Sequence, residues 1–265
     1  MPILGAILTP HPPVLLPEVG RGREREISAT WDAMCEAAEE VARWAPEALV
    51  VASPHTVMYS DYFHIAPGRG AAGDMSSFGA PQLRIEAEYD AGLRAAIVEK
   101  AQAAGLDAGT LGQREPALDH GVLIPLYFLR RAGVDCPIVR MGLSGFSPLA
   151  HYRLGRCVAE AADMLGRRVV FVASGDLSHK LKPDGPYGFA PEGPVFDEAV
   201  TRAMASGDFL RFLTLEPSLC ERAAAFIPPR DREEGHGIAH AEGPLMAQQP
   251  RPDGQAVQRA GHHLE

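Results

Sequence analysis

The chain has 265 residues, 46% of them hydrophobic, which is enough for one large α/β domain with a substantial core. Its 34 acidic residues outnumber 25 basic ones, for a formal charge of −9, so a nucleic-acid or anionic-membrane partner has no electrostatic support and a small-molecule or protein partner is expected. Four scattered cysteines, Cys35, Cys136, Cys157 and Cys220, form no CxxC pair, which argues against a disulfide framework or structural zinc site and predicts a reducing, cytoplasmic setting.

The opening segment MPILGAILTPHPPVLLP is apolar but lacks a basic n-region and is broken by prolines, so it predicts neither a secretory signal nor a membrane span. Within it, Ile3–Thr9 is a short continuous apolar run and predicts a buried strand. Over 24–45, Ile27, Trp31, Met34, Ala38, Val41 and Trp44 recur at three- and four-residue steps, the pattern of a helix with one face on a core, closed by Pro46. Ala48–Ser53 predicts a second buried strand. The Tyr/Phe/His-rich stretch 58–66 suggests another, and the glycine-rich 68–79 is a candidate lid loop. Alternation over 82–88 predicts a half-buried strand, and 91–104 an Ala-rich helix stopped by Gly105.

His120 opens a helical segment over 121–131; 136–143 reads as a strand, 148–165 as a helix and 168–174 as a strand leading into Gly175-Asp176. After the Pro/Gly-rich loop PDGPYGFAPEGP, 195–206 and 208–213 predict two short helices. Strand repeatedly followed by helix predicts an α/β fold with a mixed, mostly parallel sheet flanked by helices. Residues 225–265 differ in kind: no apolar periodicity, abundant Pro and Gly, and dense charge predict a disordered tail. His236 and His240 there have a four-residue spacing, but Gly235 and Gly237 speak against the helix that a metal pair would need.

Three histidines sit just past predicted strands: His11, His55 and His179. In open α/β sheets ligands bind outside the carboxyl ends of strands, so these side chains can converge, and gathered imidazoles suggest a metal. Prolines on both sides of His11, in Thr9-Pro10-His11-Pro12-Pro13, hold it in an extended loop that suits a ligand and equally an ordinary rigid turn. Ser53-Pro54-His55 repeats the pattern after the second strand. Leu118-Asp119-His120-Gly121 sets an imidazole beside a carboxylate at a helix start, where Asp119 also reads as a simple cap. Asp176 and His179, three apart after a buried strand, have the geometry of an oriented general acid/base, or of a strand-to-helix turn capped by Asp. His64 and His151 read as structural.

Together TPHPPVLLPEVG, SPHTVMYSDYF, LDHG and VVFVASGDLSHKLKPDGPYGFAPEGPVFD, separated and in this order, resemble the LigB-type class III extradiol dioxygenase superfamily, close to its Memo-like branch in the AmmeMemoRadiSam system. The resemblance covers residues 1–224. It implies a mixed α/β sandwich holding non-haem Fe(II) through two histidines and a glutamate, with a small catechol-type aromatic and O2 as substrates. Carried over, it makes His11 and His55 metal ligands, His179 the acid/base histidine, with Asp176 beside it, and His120 a histidine near substrate and oxygen. The sequence departs from the pattern at the third ligand, which falls near Ala225; Glu221 lies about one helical turn earlier. The loss of family character after that point suggests a frameshift or truncation.

Three functions follow as expectations: a ring-cleaving dioxygenase; a Memo-like metal-binding or redox-accessory protein, working with a radical-SAM partner; and a hydrolase in which zinc replaces iron. A homodimer is the oligomer the resemblance implies.

Overall fold

A computed structural model of the chain describes residues 2–112 and 117–225. At its centre is a four-stranded, wholly parallel sheet in the order β1-β8-β2-β7, formed by β1 (Ile3–Thr9), β2 (Ala48–Ser53), β7 (Ile138–Gly142) and β8 (Val169–Ser174). The inner strands β2 and β8 are continuous apolar runs because both of their faces are covered. Alternate residues go to opposite sides: Leu49, Val51, Val170 and Val172 join one core, while Val50, Ala52, Phe171 and Ala173 join the other.

Helices α2 (Ser28–Trp44) and α4 (His120–Arg131) pack on the first face, and α3 (Ala91–Ala103) and α5 (Pro148–Leu165) on the second. The predicted amphipathic stripe of α2 is the buried one, through Met34, Ala38 and Val41. Met34 and Val41 each contribute about 1.5–3 kcal/mol by leaving water, and truncating Met34 to Ala would cost about 2–5 kcal/mol. The helix begins later than the sequence suggests, since Arg23–Ile27 is a 3-10 turn preceded by the one-turn α1 (Pro17–Gly20), and it ends where Ala45 turns left-handed before Pro46.

Three readings of the sequence are corrected. The lid loop expected over 68–79 is mostly strand: β4 (Gly70–Met75) pairs antiparallel with β5 (Ala80–Glu88), and only Ser76–Phe78 and Gly79 turn between them. Its glycines serve close packing, since a Cβ on Gly73 would lie 2.3 Å from the Leu118 carbonyl and one on Gly70 2.5 Å from that of Ala87. The strand expected over 58–66 shrinks to β3 (Phe63–His64), which pairs with β6 (Ala108–Gly109). The helix expected at 195 starts at Glu192, so that α6 is Glu192–Ser206, and 208–213 is a 3-10 segment, Phe209–Thr214.

With α7 (Pro217–Arg222), these last elements enclose a small third core of Phe196, Val200, Phe212, Ala223 and Ala225. Of the tail expected over 225–265, Ala225 is instead packed in this core, and the remainder, with His236 and His240, lies outside the described residues. Among the described residues no helix is long and apolar enough to cross a membrane.

Candidate metal centre

Because β1, β8 and β2 are parallel neighbours, their carboxyl ends lie side by side, with Thr9 paired to Ser174 and Ala52 to Ala173. The chain therefore delivers His11 from β1, Asp176 and His179 from β8, and His55 from β2 to one crevice. Helix α4 starts at the same place. Asp119 caps it, accepting from the Val122 N–H at 3.1 Å, and His120 is its first residue. Gly121 is required here: a Cβ would sit 2.4 Å from Ser53 Oγ and 3.2 Å from the His55 ring.

One nitrogen from each of His11, His55 and His120 lies within 4.8 Å of the others. The Nε2 atoms of His11 and His55 are 3.0 Å apart, the separation of two adjacent nitrogens that each lie about 2.1 Å from one metal ion. Ser174 Oγ stands 2.9 Å from His11 Nδ1, a hydrogen-bond partner that holds the ring with Nε2 toward the cluster. Asp176 fixes the backbone of the same histidine by accepting from its N–H at 3.1 Å, and its Oδ2 is 3.4 Å from His11 Nε2 and 3.7 Å from His179 Nε2. His179 Nδ1 donates to the Ala224 carbonyl at 3.1 Å; a carbonyl can only accept, so this fixes the hydrogen on Nδ1 and sets Nε2 toward Asp176.

Electrostatics favour neutral imidazoles facing ionised carboxylates. Burial lowers the proton affinity of His11, and Asp176 and Asp119 only partly offset it. Burial, then the neighbouring His120 and His11, pushes His55 down to about 3, and burial with His11 lowers His120. Neutral imidazole is the form that binds metals. Burial works against ionisation of Asp176, but the neighbouring imidazoles of His179 and His11 and the His11 backbone N–H outweigh it and hold the carboxyl below its ordinary range. Asp119 behaves alike: burial opposes its charge, while the Arg140 guanidinium and hydrogen bonds from Ser53 and Thr56 hold it ionised.

All five residues singled out from the sequence, His11, His55, His120, Asp176 and His179, border this crevice. His120, expected beside substrate, lies within the ligand cluster itself. Asp176 caps no helix, since α6 begins after Pro191. Ala225 is buried in the small third core and offers no donor, while Glu221 is exposed on α7. His64 and His151 are buried away from the cluster, bonded to Leu111 O and to the Ser144 and Ser147 backbone.

Sequence reasoning missed the support beneath the site. Arg140, 1% exposed, donates to Asp119 Oδ2 at 3.0 Å, Thr56 Oγ1 at 3.0 Å and Ala117 O at 2.9 Å. Asp119 also accepts from Ser53 Oγ at 2.6 Å and Thr56 Oγ1 at 2.7 Å. The available signal was a lone charge inside the otherwise apolar strand β7.

Residues 5–229 match the family described as the catalytic LigB subunit of aromatic ring-opening dioxygenase. Protein CA_C1420 of Clostridium acetobutylicum is 34% identical over 78% of this chain and 46% of its own length. A 2,3-dihydroxyphenylpropionate/2,3-dihydroxicinnamic acid 1,2-dioxygenase of Pseudomonas putida is 29% identical over 58% of this chain and 51% of its own. The chain thus spans about half the length of the curated relatives it matches. An uncharacterized Escherichia coli K12 protein, JW3007, aligns in its crystal structure with a TM-score of 0.48 and 19% identity over 78% of this chain and 89% of that one. Strand-end histidines, an acid paired with a histidine and a family match over most of the chain meet in one assignment: the chain belongs to the LigB family of aromatic ring-opening dioxygenase subunits.

Proposed function

We propose that the chain is a non-haem Fe(II)-dependent extradiol dioxygenase that opens a small catechol-type aromatic with O2. The observation that carries this reading is a cluster of three buried or half-buried imidazoles beside a carboxylate–histidine pair. In it His11, His55 and His120 hold the ion, an all-imidazole donor set that accepts iron as well as zinc. Bound there, Fe(II) supplies open positions where the two catechol oxygens and O2 are brought together and electrons pass between them.

The protein manages the protons. His179 Nε2 takes a phenolic proton as the catechol binds, because its other nitrogen is committed to Ala224 O. Asp176 Oδ2, 3.7 Å away, stabilises the imidazolium so formed, and the proton is returned as the ring opens. Both oxygen atoms end in the product, so no further reductant is needed. The relatives named for 2,3-dihydroxyphenylpropionate act on such a vicinal diol, which supports this substrate class.

One observation favours a second reading, a metal-binding accessory protein without ring cleavage, with zinc as the alternative ion: Ala225 stands where the resemblance places a carboxylate ligand. Anaerobic Fe(II) titration followed by O2 uptake with a panel of catechols separates the two. Stoichiometric binding, lost in His11→Ala and His55→Ala, with a yellow ring-opened product that disappears in His179→Ala, supports the dioxygenase. Binding without O2 uptake on any catechol rejects it in favour of the accessory role.

A further inference from the structure

Two exposed aromatic rings flank the histidine cluster on elements that have nothing else in common. Phe78, 38% exposed, ends the turn between β4 and β5, and its ring lies edge-on to His120 at 5.1 Å. Tyr187, 39% exposed, lies on the loop between β8 and α6, and its ring is edge-on to His179 at 5.2 Å. A continuous series of contacts joins them: His120 to His11, His11 to Asp176, and Asp176 to His179. Each ring therefore borders a different histidine of one contiguous group.

Neither ring hangs from a loose tip. The Phe78 turn is closed by Gly79 at φ 78 and tied down by Arg21 Nη2, which donates to the Gly79 carbonyl at 3.2 Å. The Tyr187 loop is closed at its base by a bridge between Leu181 and Phe189 and by Ala190 N donating to Lys180 O at 3.1 Å, with Gly188 N donating to Gly185 O inside it. A single exposed aromatic is ordinary, but two rings held by independent turns, each against a histidine of the site, form a pair of walls.

We propose that Phe78 and Tyr187 are specificity-determining residues that receive the planar ring of the substrate between the histidine cluster and solvent. Offset or edge-on aromatic contacts at 4.5–7 Å reward a flat ring and do nothing for an aliphatic ligand with the same donor atoms. Selection for aromatic diols thus lies in these walls, while capture of the two oxygens lies in the metal centre. The proposal rests on the reading of that centre given above.

The test uses the full chain loaded with Zn(II), which is redox-silent, with zinc content measured for every variant. Binding of 4-nitrocatechol is followed by its absorbance, and acetohydroxamate, a bidentate oxygen ligand without a ring, by competition. Phe78→Ala and Tyr187→Ala are expected to keep parental zinc and weaken 4-nitrocatechol about three- to tenfold each, with acetohydroxamate within twofold of parent. Tyr187→Phe is expected to restore the parental value. Equal weakening of both ligands, or of neither, overturns the proposal while leaving the metal centre standing. A parent chain that takes up neither zinc nor 4-nitrocatechol overturns the reading of the centre, and this proposal with it.

Discussion

Replacing Arg140 with Met tests the support under the site most directly. The side chain is 1% exposed and donates to Asp119, Thr56 and Ala117, so bulk water does not reach in to take its place. Methionine of similar length fills the volume but leaves the buried Asp119 carboxylate without its counter-charge. Breaking a buried pair from one side costs about 3–5 kcal/mol, and for a domain of this size that lowers the melting temperature by roughly 6–20 °C. Asp119 keeps its donors from Ser53, Thr56 and Val122, which places the expected loss toward the lower end.

The double variant Arg140→Met, Asp119→Asn removes the orphaned charge and retains a helix-capping residue, so it should recover about 1–3 kcal/mol of that loss. Urea denaturation of metal-free protein measures both. The sign in pH follows from Asp119, whose folded carboxyl titrates below its ordinary value. Its contribution is full above about pH 4, the unfolded value, and disappears as pH falls through the lower folded value. In Arg140→Met that depression shrinks, so acid unfolding should begin at higher pH. A single variant within about 1 kcal/mol of parent, or a double variant less stable than the single, would refute the argument.

Gly121→Ala should impair Fe(II) uptake and cost about 1–3 kcal/mol, since the new methyl must push Ser53 and the His55 ring aside; parental dialysis and melting curves would show that the first turn of α4 yields freely. Metal-free protein should lose stability as pH falls below about 6.5, because His11, His55 and His120 are buried neutral and their folded proton affinities lie below the unfolded value; a melting temperature flat from pH 7 to 5 would contradict this. Ser174→Ala should weaken metal binding about 10–100-fold with little change in fold stability, by freeing the His11 ring to turn; unchanged affinity would assign its orientation to packing alone.

The layered α/β fold was legible because its signals are local. Continuous apolar runs marked β2 and β8, and three- and four-residue steps marked α2. The crevice was legible for a topological reason: residues after parallel strands must share one end of the sheet, whatever their separation in sequence. The strand β4 was hidden because its glycines are chosen by the backbones pressed against Gly70 and Gly73, which no pattern within the segment reveals. Arg140 was passed over for a related reason. A charge in a buried strand reads as an interruption until its partner is known, and Asp119 lies 21 residues away on another element. The position of His120 inside the cluster likewise depends on the α4 cap meeting Ser53 and Thr56, contacts that no spacing encodes.

The last described turn has a bearing that reaches beyond its own packing. Ser178 Oγ donates to Ala223 O at 2.7 Å and His179 Nδ1 to Ala224 O, so the His179 ring hangs from backbone more than forty residues downstream, with Ala224 itself at φ 49. The three clustered imidazoles draw on β1, β2 and α4 and owe nothing to that turn. On the proposed reading, capture of an ion and turnover of a substrate would thus be inherited from separate stretches of chain, and a lineage that moved the backbone at 223–225 would keep the first while discarding the second. An enzyme of the proposed kind would retire into a metal carrier by a change in that one turn, without disturbing a single imidazole of the cluster.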